Sequence, residues 1–159
     1  MSSLKRCTRC VLPETHETIM FDEDGVCNIC RQHEYKHDVV DWDARKKELD
    51  ALVAAHRGTH DYDCVVPFSG GKDSTFTLYY LVKEYGIKPL VARFDHGFFR
   101  PHHEDNTLRT LRILGVDYLQ FTPSWKVVRK LMLQSLLEKG DFCWHCHTGV
   151  YSFPLRIAV

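Results

Sequence analysis

The segment 69–74, with the sequence SGGKDS, combines residue types that bind phosphate groups. It follows an apolar run over residues 64–68 and precedes a helical pattern over residues 75–85. A glycine turn between a strand and a helix directs several backbone N–H groups and the positive end of the helix towards one point. Lys72 adds a positive charge there. The sequence therefore predicts a phosphate-binding loop.

The glycine spacing of this segment excludes a Walker A loop, because the two glycines are adjacent and a serine precedes them. The pattern Ser-Gly-Gly-x-Asp-Ser instead resembles the PP-loop of the ATP pyrophosphatases, a family that binds ATP, transfers AMP to an oxygen of its substrate and releases pyrophosphate. An ordinary serine- and glycine-rich turn into a helix is the alternative.

The resemblance implies that the loop amides and both serine hydroxyls hold the departing phosphates. The expected phosphate contacts are Ser69, Gly70, Gly71, Lys72 and Ser74. Asp73 is expected to order the loop or to reach Mg²⁺. Of these, the residues closest to catalysis are expected to be Lys72, Asp73 and Ser74.

Six of the seven cysteines form three Cys-x-x-Cys pairs, and only Cys64 is unpaired. The first two pairs form the pattern C-x2-C-x16-C-x2-C, a spacing typical of a tetrahedral zinc site. Four thiolates leave zinc no open position, so the expected role is structural. Free thiols or an Fe–S cluster are the alternatives. The expected ligands are Cys7, Cys10, Cys27 and Cys30.

The third pair, Cys143 and Cys146, has three interpretations: a redox dithiol, a zinc knuckle with partners beyond Val159, or two of three ligands of an Fe–S cluster. Several thiolating PP-loop enzymes that act on transfer RNA carry such a pair at a similar distance after the loop, and bind a 4Fe–4S cluster. This pair resembles theirs. We expect a cluster in the complete protein, with two unligated thiols as the alternative.

The elements that position these residues follow from the apolar pattern. Residues 4–32 are rich in turns, residues 34–56 have helical spacing, and strands then alternate with helices. The expected strands are 64–68, 89–94 and 117–121, and the helices that follow the second and third are 103–114 and 124–139. We expect a zinc-binding segment over 1–33, a connecting helix over 34–60 and a PP-loop domain over 61–159.

This alternation predicts an α/β fold with a parallel, doubly wound sheet, whose ligand lies at the carboxyl ends of the strands. The main chain near Ala92–Phe94 is expected to meet the adenine edge of ATP, and Asp95 and His96 the ribose or the reacting centre. Alternatively, Asp95 only caps the loop that follows it. The sequence ends in an apolar helical stretch after three expected strands, whereas such folds have about five or more. We therefore expect a fragment or a truncated relative of a longer protein.

The bulk composition limits the partners and the location. Lys and Arg total 21, as do Asp and Glu, so no overall charge attracts nucleic acid or a membrane surface. There is no apolar run of about 18 residues and no signal-peptide pattern. We expect a cytoplasmic protein, whose thiols bind metal or remain free rather than form disulfides.

The layout of the chain resembles the N-acetyl sugar amidotransferase family of bacterial surface-polysaccharide biosynthesis, which includes lipopolysaccharide and O-antigen. The motifs that carry this resemblance lie at 7–15, 21–30, 69–74 and 143–149, and the first and last are the discriminating ones. The chain departs from the family by ending short of its usual length. Its Phe-Asp-His-Gly at 94–97 is closer to the transfer-RNA lysidine synthetases.

The resemblance implies that ATP activates the acetamido oxygen of a nucleotide-linked sugar and that ammonia then displaces AMP. Ammonia would come from a separate class I glutamine amidotransferase. One rival is a transfer-RNA thiolase with an Fe–S cluster, which the neutral charge balance disfavours. The other is a non-catalytic zinc-binding module for protein interactions.

Overall fold

The computed structural model describes residues 4–15 and 17–159. The chain forms two compact units, Met1–Leu49 and Asp50–Val159, and the division falls within helix α2, Trp42–His56. Within the described residues, no helix has the length and apolar character needed to cross a membrane.

The first unit is built from cysteine-bearing turns followed by short helices. Isolated antiparallel bridges join Arg6 to Pro13 and Phe21 to Cys27. Helix α1, Asn28–Glu34, continues into a π-helical turn, Tyr35–Val39. The buried residues are Cys7, Val26 and Cys27, with Ile19, Phe21 and Cys30 packed against them. In so small a core, a bound metal would contribute a large part of the folding free energy.

The region expected to form one connecting helix contains two helical pieces separated by Val40 and Asp41. Val40 is extended, with φ −73° and ψ 117°. The Asp41 carboxylate accepts a 2.9 Å hydrogen bond from the backbone N–H of Ala44, so Asp41 caps the N-terminus of α2. The apolar spacing that predicted one helix therefore spans two helical pieces, because Asp41 caps the second piece and so separates it from the first.

The second unit contains a three-stranded parallel sheet in the order β1-β2-β3. The strands are β1, Cys64–Pro67, β2, Pro89–Phe94, and β3, Asp117–Phe121. The helices are α3, Lys72–Lys83, α4, Pro101–Leu114, α5, Trp125–Lys139, and α6, Trp144–Ala158. The expected α/β class is confirmed, with a parallel sheet of the three expected strands.

Helices cover both faces of this sheet. On one face, Leu78 of α3 and Leu111 of α4 form a core with Val66 of β1, Val91 of β2 and Phe68, which directly follows β1. On the other face, Phe153 of α6 stacks on Phe121 of β3, with ring centroids 5.5 Å apart. Gly149 of α6 lies so close to Phe94 that a Cβ atom there would be 2.2 Å from the ring. Residues of β1 and β2 thus pack against α3 and α4 on one face, whereas residues of β2 and β3 pack against α6 on the other.

Two helix ends matter for the site. Helix α3 begins at Lys72, three residues earlier than expected, so the last residues of the SGGKDS segment form its first turn. Helix α4 begins at Pro101, which suits the first helical position, and ends at Gly115 in the left-handed conformation.

Candidate phosphate-binding loop and metal centre

The backbone of the 69–74 loop turns sharply from β1 into α3. Gly70 has φ +78°, a left-handed conformation that glycine adopts without strain. Gly71 caps α3 with extended backbone, and in the described part of the chain no side chain caps this helix end. The backbone N–H groups of the first turn are therefore available to an anion, and the helix dipole favours negative charge there.

The two serines that frame the loop lie together. Ser69 Oγ and Ser74 Oγ are 3.1 Å apart, and Ser74 Oγ donates to the carbonyl oxygen of Gly71 at 3.1 Å. The backbone N–H of Gly71 donates to Ser69 Oγ at 3.3 Å. The structure thus brings both predicted hydroxyls to one side of the loop, where they form a closed set of hydrogen bonds.

Lys72 and Asp73 are paired at the helix entrance. Lys72 Nζ lies 2.8 Å from Asp73 Oδ1, and both side chains extend into solvent, with 90% and 88% exposure. The hydrogen bond to Asp73 and its charge raise the pKa of Lys72. Lys72 therefore carries a positive charge beside the loop at neutral pH, with the Asp73 carboxylate as its partner.

The residues after β2 face the loop across an open cavity of about 380 Å³. Its lining comes from both segments and from α4: Ser69, Gly71, His96, Phe98, Phe99, Arg100 and His103. Because the loop follows β1 and these residues follow β2, this arrangement is the one expected at the carboxyl edge of a parallel sheet.

Asp95 bonds to the segments around it. Its Oδ1 accepts the backbone N–H of Gly97 at 2.8 Å, and its Oδ2 accepts the hydroxyl of Thr122 at 3.1 Å. Such bonds are of the kind expected if Asp95 only caps the loop that follows it, which is the alternative given above. The ring of Phe94, next to it, packs against Gly149 of α6, and its main chain belongs to β2.

His96 is partly buried beside an aromatic ring. Its Nδ1 accepts the backbone N–H of Phe98 at 3.1 Å, and its ring lies 4.0 Å from that of Phe99. Burial lowers the pKa of His96 and outweighs the opposing charge of Asp95; the positive charges of nearby groups lower it further. His96 is therefore neutral at pH 7, with its proton on Nε2.

Three side chains that the sequence analysis missed lie next to these predicted residues. Arg93 of β2 has no exposed surface, and its guanidinium bonds to Glu104 of α4 and to Gln120 Oε1 at 2.7 Å. His103 and Thr107 of α4 contact the 69–74 loop. For His103, the sequence did contain one indication: Pro101 is typical of the first position of a helix, and a helix that begins there has His103 in its first turn.

The four N-terminal cysteines of the two Cys-x-x-Cys pairs form a compact group. Their Sγ atoms all lie within 4.8 Å of one another, with Cys7 3.9 Å from Cys30 and Cys10 3.6 Å from Cys27. All four are free cysteines rather than members of disulfides, and Cys7 and Cys27 are buried. This group could hold a metal ion such as zinc, because four thiolates at this spacing suit a tetrahedral site.

The thiols of this group differ in acidity. Burial raises the pKa of Cys7, but backbone N–H donors of Cys10, Arg9 and Cys27 outweigh it and bring the pKa to about 6. The neighbouring Cys10 thiol is the main cause that raises the pKa of Cys30 to about 12. Cys7 is thus a thiolate at neutral pH, whereas a metal must displace a proton from Cys30.

The third cysteine pair lies at the start of α6, with Cys143 as its cap and Cys146 in its first turn. Within residues 4–15 and 17–159, neither belongs to a group of three or more potential ligands. Burial raises the pKa of Cys146, and the charge of Cys143 adds to this. Between them, His145 is buried, and its Nδ1 lies 3.1 Å from the carbonyl oxygen of Phe142.

No protein-family model matches the chain. Over 117 residues, or 72% of its length, the chain is 25% identical to an uncharacterized protein of Methanocaldococcus jannaschii. The chain spans 41% of that relative's length. The similarity indicates a distant relationship and carries no activity with it.

Proposed function

We propose that the chain carries an ATP-dependent adenylating site of the PP-loop type, belonging to an amidotransferase that acts on a nucleotide-linked N-acetyl sugar. One observation carries the proposal: two serine hydroxyls, a left-handed glycine and a helix N-terminus with no side-chain cap among the described residues converge at the carboxyl end of β1. Such a group of donors suits a polyphosphate better than a single small anion, since it offers several bonds in different directions.

The reaction follows from the weakness of an amide as an electrophile. The acetamido oxygen attacks the α-phosphorus of ATP, an O–P bond forms, and the bond to the bridging oxygen of pyrophosphate breaks. Ammonia then attacks the imidate carbon, the C–O bond breaks, AMP leaves, and the nitrogen loses its extra proton. The protein's task is to align ATP and to stabilise charge on the departing pyrophosphate.

The roles of the side chains follow from their positions. Ser69 and Ser74 donate to the phosphates, and the exposed Lys72 balances their charge. Mg²⁺, when bound, neutralises charge on the leaving pyrophosphate, and the Asp73 carboxylate is an oxygen ligand of the kind it prefers. His96, as a neutral Nε2–H donor, suits a hydrogen bond to ribose or phosphate. A class I glutamine amidotransferase would supply the ammonia.

For the first unit we propose structural zinc at the four clustered cysteines, because a closed set of thiolates leaves no position for a reactant. An Fe–S cluster at Cys143 and Cys146 is a separate proposal that needs a further ligand. Anaerobic purification followed by iron, sulfide and zinc analysis tests both. Zinc near one per chain supports the first, and iron and sulfide that vanish on replacing Cys143 and Cys146 support the second.

The test of the adenylating site is binding, followed by pyrophosphate release. Mg·ATP and pyrophosphate should bind to the chain, and the double change Ser69→Ala and Ser74→Ala should weaken both by at least tenfold. Ser152→Ala, an exposed serine of α6, is the matched control and should bind as the wild type does. Pyrophosphate release should then be compared with ammonium plus a nucleotide-linked N-acetyl sugar and with transfer RNA. A wild-type chain that binds neither ATP nor pyrophosphate would refute the proposal.

A further inference from the structure

Helix α4 lies directly against the 69–74 loop. The Nε2 atom of His103 is 2.8 Å from the carbonyl oxygen of Ser69, although 34 residues separate them in the chain. A carbonyl oxygen only accepts hydrogen bonds, so Nε2 carries the proton and donates it. This bond fixes one peptide group of the loop to another helix.

The contact at the next residue is equally close. A Cβ atom at Gly70 would lie 2.1 Å from Thr107 Oγ1 and 2.9 Å from His103 Nε2, so only glycine fits between the loop and α4. Thr107 is buried, and its hydroxyl has no hydrogen-bond partner among the residues that the structure describes. The loop and α4 are therefore packed as one unit.

His103 is held in place by its own neighbours. Its ring stacks on Phe99, with centroids 5.0 Å apart and an interplanar angle of 14°. The guanidinium of Arg93 lies 4.6 Å from the centre of the Phe99 ring and bonds to Glu104, the residue after His103. A partly buried ion pair and an aromatic stack thus fix both the side chain of His103 and the helix that carries it.

The bond between His103 and Ser69 has a consequence for the N–H of Gly70. The described chain contains no cis peptide bond, so the Ser69 carbonyl and the Gly70 N–H point to opposite sides of one peptide plane. Holding the carbonyl towards α4 turns the N–H away from it. A carbonyl rotated towards an anion would repel it, whereas an N–H attracts it.

We infer that His103 is a positioning residue of the phosphate-binding loop: it holds the Ser69 carbonyl towards α4 so that the Gly70 N–H is presented to the phosphates. The inference rests on the proposed function, since it assigns the loop to phosphate. It adds an interaction that lies outside the SGGKDS motif. The role requires only that Nε2 of His103 carries a proton that it donates to the Ser69 carbonyl oxygen.

Three variants separate this role from a general packing role. His103→Leu removes the donor at similar size, His103→Gln places an amide N–H near the position of Nε2, and His102→Leu alters the exposed neighbour. We expect the Leu variant to bind pyrophosphate and Mg·ATP about five- to tenfold more weakly, as for one lost hydrogen bond. The Gln variant should return to within about threefold of wild type, and the His102 variant should match wild type.

Titration calorimetry gives the dissociation constants, and urea unfolding reports the folded state. Equal pyrophosphate affinity in the wild type and in folded His103→Leu would overturn the inference, as would a Gln variant as weak as the Leu variant. Should His103→Leu unfold, His103→Asn takes its place, because its shorter amide does not reach the Ser69 carbonyl. If the wild type itself binds no pyrophosphate, the proposed function fails rather than the role of His103.

Discussion

The guanidinium of Arg93 and the carboxylate of Glu104 form a bidentate ion pair that links β2 to α4. The Arg93 side chain has no exposed surface, whereas Glu104 keeps a third of its side chain exposed. Such a pair holds the positive charge in place only as long as the carboxylate is present, since an isolated charge is costly in the protein interior.

Glu104→Gln should therefore lower the free energy of unfolding by about 3 kcal/mol, the lower end of the range for losing one partner of a buried pair. The partial exposure of Glu104 is the reason for choosing the lower end. Urea unfolding measures it. The double variant Arg93→Met with Glu104→Leu should recover most of the loss, because it removes the charge as well. Equal stability of the single and double variants would show that the buried charge is not the cause.

Gly70→Ala should abolish ATP binding and destabilise the second unit. Its control is Gly58→Ala, where φ is +70° but a Cβ atom would meet nothing within 4 Å. Both changes introduce left-handed strain of about 1 kcal/mol. Only Gly70→Ala adds overlap with Thr107 Oγ1. Calorimetry with ATP and urea unfolding should therefore separate the two variants, and similar behaviour would refute the close contact with α4.

Gly149→Ala should destabilise the packing of α6 on the sheet, because the new methyl group overlaps the Phe94 ring. We expect a loss of about 2 kcal/mol, as for other overpacked cores. Adding Phe94→Leu should restore part of the loss, since the smaller side chain leaves room. Thermal unfolding of the single and double variants measures this coupling, and strictly additive losses would argue against the contact.

If the clustered cysteines bind zinc as proposed, replacing one of them should release it from the first unit. Cys27→Ser removes a buried member of the group, whereas Cys64→Ser changes a half-buried thiol outside it. Zinc per chain should fall to near zero in the first variant and stay at the wild-type level in the second. Zinc affinity should also weaken as the pH falls across the neutral range, because a proton competes for Cys30, and more steeply below about 6, where protons compete for Cys7 as well. Unchanged zinc content in Cys27→Ser would contradict the assignment.

Acid should destabilise the second unit partly through His96, whose pKa burial lowers from the ordinary 6.5. The unfolded chain then binds a proton at a higher pH than the folded chain does. The contribution of His96 is fully present above about pH 6.5 and is lost as the pH falls towards the folded-state pKa. Unfolding free energies measured between about pH 5 and 8 should fall less steeply in His96→Asn than in wild type. Parallel curves would contradict the shift.

Local sequence patterns were sufficient for the strands and the loop. Strand β2 ends at the charged, glycine-bearing turn 95–97, and β3 ends at the Thr-Pro-Ser sequence 122–124, so their predicted bounds match the structure. Residue 68, predicted as the last of β1, still donates its N–H to the carbonyl oxygen of Ala92 at 3.0 Å. The cysteine spacing likewise predicted a group that the fold of the first unit brings together.

The contacts that hold the loop in place could not be predicted in this way. Arg93 looks like an exposed residue within a strand, and His103 like one of several polar residues on an amphipathic helix. Both acquire partners only when β2, α4 and the loop meet, at sequence separations of 11 residues for Arg93 with Glu104 and 34 for His103 with Ser69. Residue patterns within one element carry no information about such pairs.

The hydrogen bonds among Ser69, Gly71 and Ser74 would make the proposed binding of phosphates an exchange reaction. An incoming oxygen must replace bonds that the loop already makes with itself, so the net gain from any single contact is small. A ligand that makes only one contact gains little, whereas a chain of phosphates replaces several bonds at once. The loop should therefore discriminate by the number of oxygens presented together, and ATP should compete far better than inorganic phosphate at equal concentration.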